Sequence, residues 1–434
     1  MKQHPLKIAS LGIQHVLAMY AGAVIVPLII GGALNFTGEQ LTYLVSIDIL
    51  MCGIATILQV WQNRFFGVGL PIVLGCTFTA VGPIISIGSQ YGISSIYGSI
   101  FISGLIVVLI SKFFSKLIKF FPPVVTGSVV TIIGITLIPV AMNNMAGGQG
   151  SPDFGSISNI SLAFGTLLFI VLLYRFTKGF IRSISILLGL VAGTIAATFM
   201  GKVNFSAVAD ASWFHMVKPF YFGTPTFELT PIITMTLVAI VSLVESTGVY
   251  LALSDITGKK LTEDDISRGY RAEGLASILG ALFNAFPYTT YSQNVGLVQL
   301  SGVKGKNVIY TMGGILVVLG FVPKIGAFTT VIPTSVLGGA MVAMFGMVIA
   351  YGIKMLSKVD FGSQENLLII ACSVGMGLGV TAVPDLFSHL PESIKILTNN
   401  GIVAGSISAI LLNIVFNVMK PAKKIQAAST LKAS

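Results

Sequence analysis

Long apolar runs separated by short polar breaks set the pattern of this chain. A helix needs about 20 apolar residues to cross roughly 30 Å of hydrocarbon. Runs of that kind, several shorter than ideal, fall at 11–32, 41–61, 70–88, 94–111, 123–141, 160–174, 183–200, 231–251, 273–285, 288–303, 308–323, 334–352, 365–382 and 401–419. The pattern predicts an all-α polytopic membrane protein with about 14 spans. The opening MKQHPLKIASLGIQHVLAMYAG has a basic start and an apolar continuation, as a signal peptide does. No small-residue cleavage site ends a short apolar core there, so it reads as the first span.

The chain repeats itself. FPPVVTGSVVTIIG (121–134) resembles IPTSVLGGAMVAMFG (332–346), with Pro122, Val125 and Gly127 matching Pro333, Val336 and Gly338 at a constant offset of 211. The first opens the fifth predicted span and the second the twelfth. A unit of seven spans is odd in number, so its second copy enters the membrane from the opposite side, the inverted-repeat arrangement of many secondary transporters. Chance likeness between two helix starts bearing Pro and Gly is the alternative.

The two halves also share interrupted spans at corresponding places. LPIVLGCTFTAVGP (70–83) carries Pro71, Gly75, Gly82 and Pro83. FPYTTYSQNVGLVQLSG (286–302) follows Pro287 with polar residues at many positions. Neither reads as an unbroken lipid-facing helix. Non-helical backbone at that depth survives only when buried in protein or lining a cavity, and paired interrupted segments point to a substrate site. Half-helix N-termini there would offer free N–H groups and partial positive charge to a ligand's carbonyl oxygens.

Composition agrees. Of 434 residues 54% are hydrophobic and 9% charged, against about 25% charged in soluble domains. The net charge of +10 sits in short loops, not in a patch with interleaved aromatics, which argues against nucleic acid. With a cytoplasmic N-terminus and alternating spans, 21 of the 25 Lys and Arg fall inside, and only Lys202, Lys218, Lys324 and Lys395 fall outside. That asymmetry predicts both termini on the cytoplasmic side of the cell membrane. Cys52, Cys76 and Cys372 lie in spans without pair spacing, and four scattered histidines show no ligand pattern. The sequence therefore points to no disulfide framework, metal or cofactor. An enzyme would need a nucleophile–base pair or metal ligands, and neither is found. The basic tail 421–434 suits contact with anionic lipid.

Ionisable groups inside spans cost about 2.5–3.5 kcal/mol or more and require a reason. Glu245 lies well inside the eighth span and is either a ligand- or proton-binding acid or a buried structural one. Glu273 begins the ninth and is either a coupling acid or an interfacial partner of Arg271. Asp48 is open in the same way. Glu263, Asp264 and Asp265 read as a solvated loop. Gln14 and His15 are adjacent in the first span, so at most one faces a central site squarely. His15 otherwise makes a structural hydrogen bond to another helix. Ser292, Gln293, Asn294, Gln299 and Ser301 lie near mid-membrane. Gln and Asn each carry donors and an acceptor and suit a planar ligand edge of alternating carbonyl and N–H groups.

SQNVGLVQLSG, VESTGVY and GIQHVLAMYAGAVIVPL together resemble the nucleobase–ascorbate transporter family over nearly the whole chain. The signature Gln/Glu-Asn-x-Gly-x-x-x-x-Thr-Lys/Arg/Gly is met by Gln293, Asn294, Gly296 and Gly302, with Ser301 in place of Thr. YRAEGLA and NAFPYTTYSQNVG bring the chain nearest to bacterial xanthine permeases.

The resemblance implies two inverted sets of seven spans, with short strands in spans three and ten. It implies a core domain (1–118 and 230–325), a gate domain (119–229 and 326–420) and a homodimer formed through the gate. It makes Glu245 the substrate-binding carboxylate, Gln293 the specificity residue, and Phe78 the span-three position whose N–H meets the base, with Ser292 and Asn294 beside them. Glu273 and His15 match the span-nine acid and span-one histidine, and with Glu245 they are the candidates for coupling to a proton. Gln14, Gly296, Ser301 and Gly302 are motif positions. Four residues after Glu245, where many purine carriers have a second acid, stands Val249, so a relay through that acid is absent or rerouted. Uracil carriers of the family usually place Glu at position 293, xanthine and urate carriers Gln; an amide both donates and accepts, an ionised Glu only accepts. The function implied is proton-coupled import of xanthine. A urate or uracil carrier, or an anion transporter of related fold, is the alternative. Against the last, no Lys or Arg stands among the mid-span residues.

Overall fold

The structure is a computed structural model that describes residues 5–117, 121–302, 304–391, 395, 398 and 400–419. At Gln293, Leu300 and Ser301 it describes the backbone alone. The basic tail lies outside the described residues. In chain order the helices are α1 (Pro5–Ala33), α2 (Gly38–Val60), α3 (Val81–Tyr91), α4 (Ile93–Lys116), α5 (Pro123–Met145), α6 (Ile157–Phe176) and α7 (Ser185–Phe199). The second half has α8 (Leu229–Thr257), α9 (Glu263–Leu282), α10 (Ser292–Ser301), α11 (Lys306–Gly320), α12 (Thr334–Leu356), α13 (Gln364–Ala382) and α14 (Gly401–Asn413). Two strands, β1 (Leu74–Cys76) and β2 (Tyr288–Thr290), precede α3 and α10.

Among the described residues nine helices are long and apolar enough to cross a membrane. The count rises to ten if α11 and the short helix Pro323–Thr330, bent by 81° between them, form one broken span. The expected spans three and ten are strand, break and short helix, because prolines and glycines there interrupt the ladder. Large apolar side chains face outward, Leu109 (73% exposed) and Phe164 (59%) among them, as a lipid-facing surface requires.

One expectation changes. Glu263–Asp265 are not a loop: Thr262 caps α9, accepting from Asp265 N while the Asp265 side chain accepts from Thr262 N. This reciprocal capping box satisfies the first turn, and Arg268 Nη2 bonds Asp265 Oδ1 at 2.5 Å. The ninth span therefore starts ten residues earlier than its apolar run, and Glu273 sits at mid-helix.

The inverted repeat is visible in the packing. α5 and α12 start after Pro122 and Pro333, the two N-cap prolines, and pack against each other. Close contact is made through small residues: a Cβ on Gly134 would come 2.8 Å from Ile349 N, and one on Gly352 2.6 Å from Thr131 N. α2 packs on α11 at Gly53 and Gly313, and α9 on α4 at Gly274 and Gly104. A two-fold relation between seven-span halves converts the first pair into the second. Small residues at such crossings let backbones approach without a hydrophobic driving force.

Candidate functional site

The two broken spans meet. β1 and β2 pair antiparallel, Leu74 opposite Thr290, Gly75 opposite Thr289 and Cys76 opposite Tyr288. Strand backbone in hydrocarbon must find partners. The ladder continues through Thr77 N to Pro287 O (3.0 Å) and Tyr291 N to Val73 O (2.9 Å). The outer edge of β1 is closed by Thr56, which donates to Leu74 O (3.2 Å) and accepts from Leu74 N (3.0 Å). A Cβ on Gly75 would strike the Tyr291 ring, so glycine is needed for this close approach. Each strand leads within a few residues into a helix N-terminus, α3 through a 3-10 turn at Phe78–Ala80 and α10 directly.

Glu245 on α8 reaches this junction. It is half-buried, and Thr79 Oγ1 donates to its Oε2 at 3.4 Å. Phe78, 8% exposed, lies edge-on to Phe345 of α12 (5.6 Å, 84°) and tilted to Tyr291 (6.1 Å, 38°). Ser292 is half-buried at the first position of α10. Gln293 follows it in the same turn, its side chain outside the described residues. Gly296 is exposed on α10 with open space beside its Cα, and Gly302 caps that helix at φ 63°. Ser301, like Gln293, is placed by backbone only.

His15 and Asn294 come together, Nδ1 to Nδ2 at 3.3 Å, both buried. Their contact ties α1 to α10, and Gln14 lies half-buried one position away. Two buried polar atoms at the start of α10 have no hydrogen-bond partner among the described residues: Asn294 Oδ1 and the Tyr291 hydroxyl. Orphaned buried polar atoms are rare and require an explanation.

Glu273 is not an interfacial partner of Arg271. It is 2% exposed and saturated by neutral donors. Ser246 Oγ donates to Oε2 (2.9 Å), Tyr250 donates to Oε1, and Gln59 Nε2 lies 3.5 Å from Oε1 and 2.5 Å from the Tyr250 oxygen. A cavity of about 20 Å³ adjoins it, lined also by Ser103, Ser242, Ser277 and Tyr288, room for about one water. Asp48, fully buried, accepts from Tyr288 of β2 (3.0 Å), with Cys52 Sγ at 3.9 Å. Thr79, Ser246, Tyr250 and Gln59 were not singled out in the sequence. Only their position beside the two glutamates identifies them. Val249, one turn beyond Glu245, is buried.

A cleft of about 260 Å³ lies between α8, α10 and the pair α5–α12, lined by Pro123, Gly248, Asp255, Gln299, Tyr351 and Lys354 among others. It reaches within one turn of Glu245. Among the described residues no three His, Cys, Asp or Glu side chains assemble as a metal site. The arrangement can hold a small planar molecule by one carboxylate, hydroxyls and amides, and two helix N-termini.

Residues 6–386 match the model Xan_ur_permease, described as a permease family. The chain is 69% identical over 425 residues to a xanthine permease of Bacillus subtilis (strain 168), covering 98% of this chain and 97% of that one. It is 65% identical over 421 residues to the uric acid permease PucK of the same organism, covering 97% and 98%. Among solved structures, the transmembrane domain of a cyanobacterium bicarbonate transporter, BicA, superposes with a TM-score of 0.62 at 14% identity, covering 89% of this chain and 98% of that one. The murine anion transporter Slc26a9 in its inward-facing state gives 0.60 at 12%, covering 96% and 69%. The last two establish the fold alone. By the extent of the first matches, the chain belongs to this permease family, the nucleobase–ascorbate transporters.

Proposed function

We propose that this permease imports xanthine across the cell membrane together with a proton. The observation that supports this most is Glu245, a half-buried carboxylate at the point where the strands and N-termini of two broken spans converge. A purine dione offers N–H groups to such a carboxylate and carbonyl oxygens to helix N-termini and to the amide of Gln293. Relatives named as xanthine and uric acid permeases favour an oxidised purine. Glu273 and Glu245 are the acids proposed to carry the coupling proton, with His15 holding Asn294 in place.

Transport on this reading proceeds by movement of a core (1–118 and 230–325) against a gate (119–229 and 326–420) that also forms a homodimer, both termini being cytoplasmic. The cleft beside Glu245 would then be the inner exit, since Lys354 and Lys358 stand at that end. The test is uptake of labelled xanthine, competed by urate, uracil and hypoxanthine, with and without a protonophore. Xanthine uptake abolished by the protonophore supports the proposal. Uptake that depends on sodium and ignores the protonophore contradicts the coupling, and stronger competition by uracil than by urate contradicts the substrate.

A further inference from the structure

We infer that Ser246 is the positioning residue that transmits the proton state of Glu273 to the strand carrying the substrate-binding helix α10; this rests on the proton-coupled reading above. Glu245 and Ser246 are consecutive on α8, so their side chains diverge by about 100°. The first faces Thr79 and the ligand junction, the second faces Glu273. Val249 leaves no acid one turn beyond Glu245, so a route along that face of α8 is closed.

Ser246 is fully buried and sits at the centre of a cluster. Its Oγ lies 2.9 Å from Glu273 Oε2, 2.9 Å from Thr289 Oγ1, 3.3 Å from Thr290 Oγ1 and 3.4 Å from Thr290 N. A serine hydroxyl has one proton and two lone pairs. With Glu273 ionised, that proton must point at Oε2, and the Thr289 hydroxyl can donate to Ser246. Oε1 already accepts from Tyr250. A proton taken up by Glu273 therefore goes to Oε2, which becomes a donor toward Ser246. Ser246 must then turn its own proton to Thr289 Oγ1, and Thr289 must turn its proton to the carbonyl of Ser242, 3.5 Å away. One proton added at Glu273 reverses two hydrogen bonds, Glu273–Ser246 and Ser246–Thr289, and sends the Thr289 proton to a third acceptor, the Ser242 carbonyl; no covalent bond to carbon, nitrogen or sulfur changes. The reversal leaves β2 on Ser246 but draws Thr289 toward the Ser242 carbonyl as a second anchor, and β2 leads into Ser292 and Gln293.

The groups facing Glu273 leave it dependent on this path. They are Ser246, Tyr250 and the more distant Glu245 from α8, Gln59 from α2, Tyr288 from β2 with its hydrogen-bond partner Asp48 of α2, and Tyr270 on α9 itself. At this level α4 presents Ser103, Gly104 and Val107; its Lys112 and Lys116 lie five and nine residues beyond Val107, more than one and more than two turns farther along. Among the described residues none of the groups at Glu273 is a cation.

Xanthine affinity of the full-length protein, measured from about pH 6 to about pH 8 alongside gradient-driven accumulation and counterflow exchange, tests the inference. Wild type is expected to show pH-dependent affinity. Ser246→Ala is expected to keep binding within about tenfold, the usual worth of one hydrogen bond. It should keep counterflow, flatten the pH profile and lose accumulation. Ser246→Thr, which retains the hydroxyl, should restore the profile, and Thr289→Val should flatten it without touching Glu273. A wild-type profile in Ser246→Ala overturns the inference; if that variant does not fold, an unchanged profile in Thr289→Val does so. Affinity independent of pH in the wild type, with protonophore-insensitive uptake, instead refutes the proton coupling on which it rests.

Discussion

Glu245→Gln separates binding from folding more cleanly than any other change in this site. The carboxylate is half-buried and accepts one described hydrogen bond, from Thr79 at the long distance of 3.4 Å. An amide of the same size can keep that bond through its oxygen, so the unliganded protein should lose little stability. On the proposed reading, what changes is the face turned to the ligand, where one acceptor becomes an N–H donor opposite a ring N–H. A buried donor left facing a donor costs about 1–3 kcal/mol, which is about 5- to 150-fold in Kd. Two measurements on purified protein are needed: xanthine affinity by calorimetry, and thermal unfolding without ligand. The expected result is the affinity loss with unfolding close to wild type. Near-normal affinity would remove Glu245 from the ligand, and a large drop in Tm without ligand would make it a structural acid.

On the same reading Gln293→Glu should weaken xanthine increasingly as pH rises, because an ionised oxygen would oppose the ligand's carbonyl. Unchanged affinity ratios among xanthine, urate and uracil would take Gln293 out of the site. Asp48→Ala should lower stability by about 1–3 kcal/mol by leaving the Tyr288 hydroxyl unpaired in a dry core, read as a fall in Tm of the detergent-purified protein. Outside the membrane, Asp153 is held down from its ordinary 3.8 to about 2, first by the Ser151 hydroxyl and then by Lys202. A depressed carboxylate adds stability above its ordinary value that is lost as pH falls through the lowered one. Asp153→Asn should therefore make Tm less sensitive to acid between about pH 4 and about pH 2, and an unaltered acid slope would show the pair to be inert.

The broken spans were legible in the sequence because their cause is local. Pro71, Gly75 and Pro287 fall in the non-helical stretches, Pro83 sits in the first turn of α3 where its missing N–H costs no bond, and the polar run after Pro287 cannot face lipid. The depth of Glu245 followed from the apolar residues on both sides of it. Glu273 was misplaced for an equally physical reason: EDDISRGYR opens α9, and hydropathy does not see a helix until its charges end. The signal that does see it is Thr262 followed three residues later by Asp265. The hydroxyl cluster was beyond reach. Ser and Thr are common in these helices and mostly bond the carbonyl one turn back, as Thr247 does to Leu243 and Thr234 to Thr230. Ser246 bridges three elements instead, and nothing in ESTGV distinguishes it from a neighbour bonding its own backbone. Asp48 and Tyr288, 240 positions apart, are likewise joined only by the fold.

The shared fold sharpens the question of what the site selects. One neighbour is a bicarbonate transporter and another an anion transporter, and a fold by itself does not fix a ligand. The N-termini of α3 and α10 present partial positive charge to the junction, which alone would favour an anion. In this chain Glu245 stands at that junction and offsets it. An inorganic anion would meet the carboxylate without any N–H of its own to offer. A ligand with both carbonyl oxygens and ring N–H groups can satisfy the helix termini and the carboxylate at once. On the proposed reading the acid converts an anion-binding geometry into one that suits a neutral, hydrogen-bonding heterocycle. Glu245→Gln should relax that exclusion as well as weaken xanthine, so small anions should compete better against the residual xanthine binding of the variant than against wild type. Equal competition in both proteins would mean that the carboxylate does not set the selectivity.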